Sequence, residues 1–139
     1  MNFRIPYGVR LGALDKSYLE HVCSNWPLYT PDYRPVVEQM LDQNPSVGVF
    51  VRAEDGSEEL ASMVLQSEYG GVGLLQTLPQ YRERGYAALG LAYLTEIMNH
   101  LGYKTHGHTK VGNARSTKLF KRTGYKIADG TNWITLKPE

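Results

Sequence analysis

The segment Thr77–Ala87 contains residue types whose order suits the binding of a phosphate group. An apolar stretch, Val72–Leu78, ends at a proline, and Arg82, Gly85 and Ala87 follow in the spacing Arg-x-x-Gly-x-Ala before a helical pattern begins. A short loop leading into a helix presents free backbone N–H groups at the positive end of the helix dipole, which favours a pyrophosphate. Gly85 leaves room for a phosphate beside the backbone, and Ala87 keeps the next inward position small. The segment therefore predicts a pyrophosphate-binding loop.

Two other phosphate-binding motifs fit this loop poorly. No Gly-Lys-Ser/Thr follows it, and the three-glycine spacing of a dinucleotide-binding turn is missing. Arg82 and Arg84 stand beside the predicted helix start. We therefore expect both side chains to contact phosphate, with a solvated surface position as the alternative.

The composition indicates a globular chain that forms a single domain over residues 1–139. No apolar run approaches the roughly 20 residues that span a bilayer, so no membrane partner is expected. The single cysteine, Cys23, excludes an internal disulfide and fits a reducing compartment. Because the N-terminal residues show no signal-peptide pattern, we expect a cytoplasmic protein, or a mitochondrial one if a leader has been removed.

The net charge of +1 hides an asymmetry between the two halves of the chain. Residues 1–78 have five Lys or Arg against ten Asp or Glu, whereas residues 79–139 have ten against four. The basic half contains the predicted phosphate loop, which suits a polyanionic ligand. Nucleic acid is not expected as a partner, because the loop lacks interleaved aromatic residues and no nucleic-acid-binding motif appears.

Apolar periodicity and turn residues predict a mixed α/β sheet with helices on both faces. Helices are expected from near Asp15, from Thr30-Pro31, over 87–101 and from Asn113 to Gly124. Strands are expected at 9–11, 47–53, 60–67, 72–78, 103–109, 125–128 and 133–136, with hairpin turns at Asp55-Gly56 and Asp129-Gly130. The order is β-α-α-β-β-β-α-β-α-β-β.

The loop resembles the acyl-CoA loop of the GNAT superfamily of N-acetyltransferases, written there as Arg/Gln-x-x-Gly-x-Gly/Ala. Within that superfamily the chain is most similar to the C-terminal domain of glycine N-acyltransferase-like proteins. This resemblance rests on Thr77–Arg82, Gly102-Tyr103 before a His-bearing strand, Asn113–Ser116, Trp133 and Lys137-Pro138. It is specific over about residues 60–139 and only topological before them. It implies the GNAT fold and an acyl-CoA-dependent N-acyltransferase that uses acetyl-CoA or another acyl-CoA as co-substrate.

In that fold the strands on either side of the loop splay apart, and the pantetheine arm lies between them. Asn113 is predicted to cap a helix and, by the resemblance, to contact the same arm. Lys118 and Lys121 approach either the 3′-phosphate or solvent. The residues assigned to the cofactor are Gln76, Thr77, Leu78, Arg82, Arg84, Gly85, Tyr86, Ala87, Ala88, Asn113, Ser116 and Phe120.

The catalytic groups of the resembling proteins are not matched here. Many GNAT enzymes have a tyrosine that protonates the leaving thiolate, and its position is occupied by Phe120. The glutamate of glycine N-acyltransferases aligns with Gly71, and the nearest carboxylate is Glu68. His108 coincides with a histidine of that family and has a side chain that titrates near neutrality. Glu68 and His108 are therefore the catalytic candidates.

No metal site is expected. His106 and His108 share one face of a strand, but His21 and His100 are predicted on distant helices. A structural metal would need further ligands close to the first two.

The sequence is consistent with three functions and does not decide between them. The first is an N-acyltransferase acting on a small-molecule amine or an amino acid, for which the resemblance implies glycine-like acceptors. The second is acetylation of a protein or peptide amine. The third is a catalytically silent domain that binds acyl-CoA in a sensing or scaffolding role, which the replacements at Gly71 and Phe120 support.

Overall fold

The computed structural model describes the backbone of residues 4–26, 29–110, 113–130 and 133–138, and the side chains of these residues up to 126 except 108–110. The seven strands are β1 Val9–Gly12, β2 Ser46–Arg52, β3 Glu58–Gln66, β4 Val72–Thr77, β5 Gly107–Lys110, β6 Tyr125–Gly130 and β7 Trp133–Pro138. The four α-helices are α1 Leu19–Asn25, α2 Arg34–Gln43, α3 Tyr86–His100 and α4 Ala114–Arg122.

The strands form one seven-stranded sheet in the order β1-β2-β3-β4-β5-β7-β6. Every neighbouring pair is antiparallel except β4 and β5, which run parallel. The predicted order of elements and the mixed α/β class are confirmed.

The β2–β3 hairpin shows how local sequence sets the register of the sheet. The Ala53 N–H donates to the Ser57 carbonyl at 2.7 Å, and the Ser57 N–H donates to the Asp55 side chain at 2.9 Å. Gly56 has φ +87°, a left-handed conformation that glycine adopts without a steric penalty. This turn fixes which face of β3 each side chain occupies.

The sheet separates two hydrophobic clusters. Along β3, Met63 and Leu65 belong to one cluster and Val64 to the other, as the alternation of a strand requires. Helices α1 and α2 cover the first face, and its core consists of Leu14, Leu19, Val22, Cys23, Val37, Met40, Leu41, Phe50, Leu60, Met63 and Leu65. Helices α3 and α4 cover the second face, where the core consists of Val47, Val64, Val72, Leu91, Leu94, Met98, Phe120 and Tyr125. Burial raises the pKa of the Cys23 thiol, as expected for a structural cysteine.

Several predicted boundaries differ from the structure. The helix expected at Thr30-Pro31 starts as a 3₁₀ turn, Pro31–Tyr33, and becomes α-helical only at Arg34. The helix expected near Asp15 likewise begins with a 3₁₀ turn, in which Asp15 accepts a hydrogen bond from the Ser17 N–H at 2.9 Å.

Three predictions for the second half of the chain were wrong in detail. The strand expected from residue 103 begins only at Gly107, and Leu101, expected on the inner face of α3, is 60% exposed beyond its end. Asp129 and Gly130 pair with Thr135 and Ile134 as part of β6, so they are not the hairpin turn. The turn itself lies outside the described residues.

Gly107 occupies a position where no larger residue fits. A Cβ atom there would lie 2.6 Å from two ring carbons of Phe120 and 3.0 Å from a methyl group of Val72. The Phe120 ring therefore closes directly on the backbone of β5, at the point where β5 meets β4.

We predict that Gly107→Ala lowers the free energy of unfolding by about 1–3 kcal/mol, because it overpacks a dense core. Chemical denaturation of the wild type, Gly107→Ala, Phe120→Leu and the double variant provides the measurement. The double variant should be more stable than the sum of the single effects predicts, since Leu relieves the clash. Additive losses would contradict the packing described.

Candidate functional site

A gap opens between β4 and β5 immediately after they meet. Val72 is paired with Gly107, and its N–H donates to the His106 carbonyl at 2.7 Å. No further β4–β5 residue pair follows in the described part of either strand. Because β4 is paired with β3 on one side only, alternate N–H and C=O groups along its other side face this gap. The free edge of β4 can therefore both donate hydrogen bonds to an extended ligand and accept them from it.

A bulge in β4 lies beside the gap. Met63 faces Gln76 and Leu65 faces Gly73, so two residues of β4 stand opposite one residue of β3. Leu74 in this bulge has φ +51°, which is strained for a leucine. A bulge bends its strand and withdraws a residue from the ladder, so it turns β4 away from regular pairing at the gap.

The loop after β4 ends at the N-terminus of α3. Gly85 precedes the helix with φ +83°, and the first helical hydrogen bond runs from the Leu89 N–H to the Gly85 carbonyl at 3.1 Å. The N–H groups of residues 86–88 precede that bond, so they remain available at the positive end of the dipole. A Cβ atom at Gly85 would meet nothing within 4 Å, so the space beside this backbone is open.

Neighbouring side chains hold the loop in place. The Glu59 carboxylate accepts from Tyr81 Oη at 2.6 Å and from Gln80 Nε2 at 3.2 Å, and it raises the pKa of Tyr81. Arg82 Nε donates to the Thr77 carbonyl at 3.2 Å. Sequence reasoning missed Glu59, since it is distant in the chain and belongs to no motif.

A basic pocket of about 440 Å³ adjoins the N-terminus of α3. Its lining includes Arg84 and Gly85 before α3 and residues in the first turns of that helix, together with Arg4 and Arg122. Arg84 also lies over the Tyr81 ring, 5.8 Å from its centroid. The sequence left Lys118 and Lys121 open between the 3′-phosphate and solvent; neither is in the described lining of this pocket, whose cations are three arginines. The position of Arg122 in the last turn of α4 would have been the signal.

A larger hollow, of about 520 Å³, lies between the end of α2, the start of β2 and the end of α3. Asp42 is the charged residue in its described lining, and no Lys or Arg faces it there. A polyanion therefore finds no counter-charge in this hollow, in contrast to the basic pocket.

The residues that the sequence assigned to the cofactor lie on β4, in the loop after it, on α3, and at the cap or within α4. Gln76 is 8% exposed, and its amide donates to the Val22 carbonyl of α1 at 3.4 Å. The Leu78 N–H is already donated to the Ala61 carbonyl at 2.9 Å, so it is not free for a ligand. Thr77 Oγ1 lies 2.8 Å from the Ser62 hydroxyl. Cofactor contact by these residues stays a prediction.

Three residues that the sequence assigned to the cofactor belong to α4 or to its N-cap. Asn113 caps the helix as expected, because its side chain accepts from the Ser116 N–H at 3.2 Å. Ser116 is half-buried, whereas Phe120 is 4% exposed and stacks edge-to-face on Tyr125 with the ring centroids 5.0 Å apart. The Phe120 ring thus packs against Gly107 and forms the wall of the gap on the side of α4. Its contact with a cofactor, like those of Asn113 and Ser116, stays a prediction.

By their place in the chain, the two catalytic candidates lie near the closed end of the gap, which is the end where Val72 pairs with Gly107. Glu68 belongs to the turn before β4 and accepts a hydrogen bond from the Tyr33 hydroxyl of the 3₁₀ turn before α2. His108 belongs to β5, where its backbone is paired with Thr135. The His108 side chain lies outside the described residues, so its catalytic role stays a prediction.

Gly71 cannot accept the glutamate that the resembling family has at this position. A Cβ atom there would lie 2.6 Å from the His106 carbonyl oxygen and 2.8 Å from its ring. The glycine is therefore required by the close approach of the chain after α3.

The described part of the chain has neither a cluster of metal ligands nor a helix that could span a membrane. No group of three or more His, Cys, Asp or Glu residues there is placed to hold a metal ion. Among the described helices, none is long and apolar enough to cross a bilayer.

The chain matches one protein-family model and several solved structures. The sequence model of the family described as FR47-like protein matches residues 46–134. No curated protein matches the chain significantly. A solved structure of a Drosophila protein superposes with a TM-score of 0.76 at 25% identity, over 98% of this chain and 45% of that protein. The chain thus spans less than half of that relative.

Two further solved structures match over nearly their whole length. PaiA N-acetyltransferase from Thermoplasma acidophilum, in complex with coenzyme A, gives a TM-score of 0.69 at 14% identity, covering 94% of this chain and 99% of that one. NAA60 from Arabidopsis thaliana, in complex with acetyl-CoA, gives 0.72 at 15% identity, covering 92% and 96%. The fold is therefore that of GNAT acetyltransferases, as the sequence predicted.

We predict that Gly85→Val abolishes CoA binding, because the branched side chain would fill the open space beside the free N–H groups. Isothermal titration with CoA provides the measurement, and circular dichroism verifies folding. Gly56→Val is the matched control, since Gly56 has the same left-handed backbone and open surroundings in a distant hairpin. Native CoA affinity in Gly85→Val would show that the loop is a turn without a binding role.

Proposed function

Since the chain belongs to the FR47-like protein family and has the GNAT acetyltransferase fold, we propose that it is an acyl-CoA-dependent N-acyltransferase. It moves an acetyl or other acyl group from a CoA thioester to the amine of a small molecule or amino acid. The observation that supports this most is the continuity between the β4–β5 gap and the open N-terminus of α3. One ligand that combines an extended amide arm with a pyrophosphate fits both.

The dimensions of β4 suit such a ligand. The strand rises about 17 Å between Val72 and Thr77. With the phosphates at the start of α3, a pantetheine arm along β4 brings the thioester toward the closed end of the gap. Arg84 and the basic pocket provide the counter-charge for the phosphates. The acceptor amine then approaches from the side of α1 and α2, opposite the cofactor helices.

The reaction forms one N–C bond, breaks the C–S bond, and removes one proton from the amine nitrogen. The residues of this chain contribute mainly by positioning, which alone provides a large part of the acceleration. His108 and Glu68 are the proposed proton acceptors. Phe120 has no proton to donate, so the departing thiolate takes its proton from another donor, such as water.

Two alternatives have specific support. A catalytically silent acyl-CoA-binding domain is favoured by the absence of a carboxylate at Gly71 and of a hydroxyl at Phe120. A peptide acceptor is favoured by the likeness to the NatC complex, which was solved with a Gag peptide and CoA (TM-score 0.72, 15% identity). A panel of amines distinguishes these possibilities, since steady CoA release with any small amine excludes the silent domain.

We predict that CoA and acetyl-CoA raise the melting temperature by several degrees at about 100 times the dissociation constant, because they bind only the native state. Adenosine should have little effect, since it lacks the pyrophosphate that the loop binds. Differential scanning fluorimetry provides the measurement. An unchanged melting curve at millimolar CoA would exclude the acyl-CoA function.

We predict that His108→Ala lowers kcat/KM by roughly 10²-fold and removes the limb of the pH–rate profile near neutrality, as expected for loss of a general base. His100→Ala is the control, because His100 is exposed at the end of α3 and pairs with Glu96. Full activity of His108→Ala across the pH range would show that the proton goes elsewhere.

A further inference from the structure

The turn before β4 places a carboxylate among aromatic side chains. Glu68 accepts the hydroxyl of Tyr33, whose ring lies 5.2 Å from that of Trp26. Tyr69, next to Glu68, is 76% exposed, and its phenol is close enough to raise the pKa of Tyr33 further. A carboxylate beside an exposed aromatic ring, here that of Tyr69, is a suitable site for an alkylammonium group, through charge and cation–π attraction.

Tyr33 keeps its proton in this arrangement. Burial first, and then the hydrogen bond and charge of Glu68, raise the pKa of the Tyr33 phenol. The phenol therefore acts as a hydrogen-bond donor that orients the carboxylate of Glu68. A carboxylate accepts about four hydrogen bonds, so one donor leaves most of its capacity for a ligand.

Glu68 is not neutralised by a neighbouring cation. The nearest basic residue in sequence to Tyr33 is Arg34, which is paired with Glu20. Two other cations of this half are also paired, Arg10 with Glu58 and Lys16 with Asp42. Across the described residues, no Lys or Arg forms an ion pair with Glu68.

We propose that Glu68, oriented by Tyr33 and followed in the turn by the exposed Tyr69, binds the ammonium group at the non-reacting end of a small alkyl diamine acceptor. This inference rests on the proposed acyltransferase function. The acceptor then has one ammonium group held at Glu68, while its other amine, deprotonated, attacks the thioester carbonyl carbon. Glu68 then determines acceptor specificity instead of accepting the proton, which leaves His108 as the proposed proton acceptor.

The same site is poorly suited to a glycine-like acceptor. An amino acid presents a carboxylate that needs a cation or free N–H donors on the protein. In the described part of this region the available side chain is itself a carboxylate, and Arg34 is already occupied. The excess of Asp and Glu in residues 1–78 acts in the same direction, because a negative field attracts a cationic diamine but gives no net attraction to a zwitterion, whose net charge is zero.

The location of Glu68 agrees with this role. It precedes β4, at the end of the strand opposite the phosphate loop. Gly71 in the same turn packs on His106, just before β5. The carboxylate thus lies by the closed end of the gap, on the side covered by α2, where the acceptor enters in the proposed reaction.

The test compares two amines of equal length that differ in one charge, and it includes glycine as a third acceptor. Steady-state CoA release is measured with 1,4-diaminobutane, with pentylamine and with glycine as acceptors. The wild type should have a higher kcat/KM for the diamine than for pentylamine or glycine. Glu68→Gln should lower the ratio of diamine to pentylamine by about 10-fold, mainly through the KM of the diamine. Tyr33→Phe should lower it less, and added salt should raise the diamine KM of the wild type.

Glu38→Gln is the matched control, because it removes an exposed carboxylate of α2 on the same side of the sheet and should leave the ratio unchanged. A CoA-induced rise in melting temperature in Glu68→Gln equal to that of the wild type verifies an intact fold and cofactor site.

Three results would overturn the inference while leaving the acyltransferase function standing. They are a ratio that Glu68→Gln does not change, a preference of the wild type for glycine, and an equal fall in kcat for both monoamine and diamine. The last would identify Glu68 as the general base. Absence of CoA release with every amine would instead remove the proposed function and this inference together.

Discussion

The brief pairing of β4 with β5 is the constraint on which the rest of the site depends. The two strands meet at Val72 and Gly107 and then separate, so one side of β4 is left without a partner strand. Phe120 closes on Gly107 from one face and His106 closes on Gly71 from the end, which fixes the point of contact. If β4 and β5 paired along their whole length, no space would remain between them for a ligand. If they did not pair at all, Gly107 and Phe120 would no longer form a wall of the gap beside β4.

The site also divides the charge of the molecule. The basic half of the chain contributes the start of α3 with Arg84 and Arg122 of the pocket, and Arg4 from the other half completes a lining that suits a polyanion. The acidic half contributes α1, α2 and the turn with Glu68, which suit a cationic acceptor. In the proposed reaction both ligands meet along β4, and each is attracted from its own side.

Local sequence predicted the parts of this structure that depend on local geometry. Gly85 and the helix after it form a contiguous unit, and Asn113 caps α4 through a residue three positions away. The contact between Tyr33 and Glu68 joins residues 35 positions apart, so no periodicity or motif indicated it. The same holds for Arg4, which reaches the pocket from the other end of the chain. Asp129-Gly130 was misassigned because a strong turn signal was overridden by pairing with β7.

The central claim is that one ligand occupies both the β4–β5 gap and the N-terminus of α3. Titration of ¹⁵N-labelled protein with CoA, followed by amide chemical shifts, tests it most directly. The account predicts that the largest shifts fall on residues 84–88 and on the residues of β4 from Gly73 to Gln76, in a single binding step. Shifts confined to the loop, or centred on the hollow at the end of α2, would contradict it.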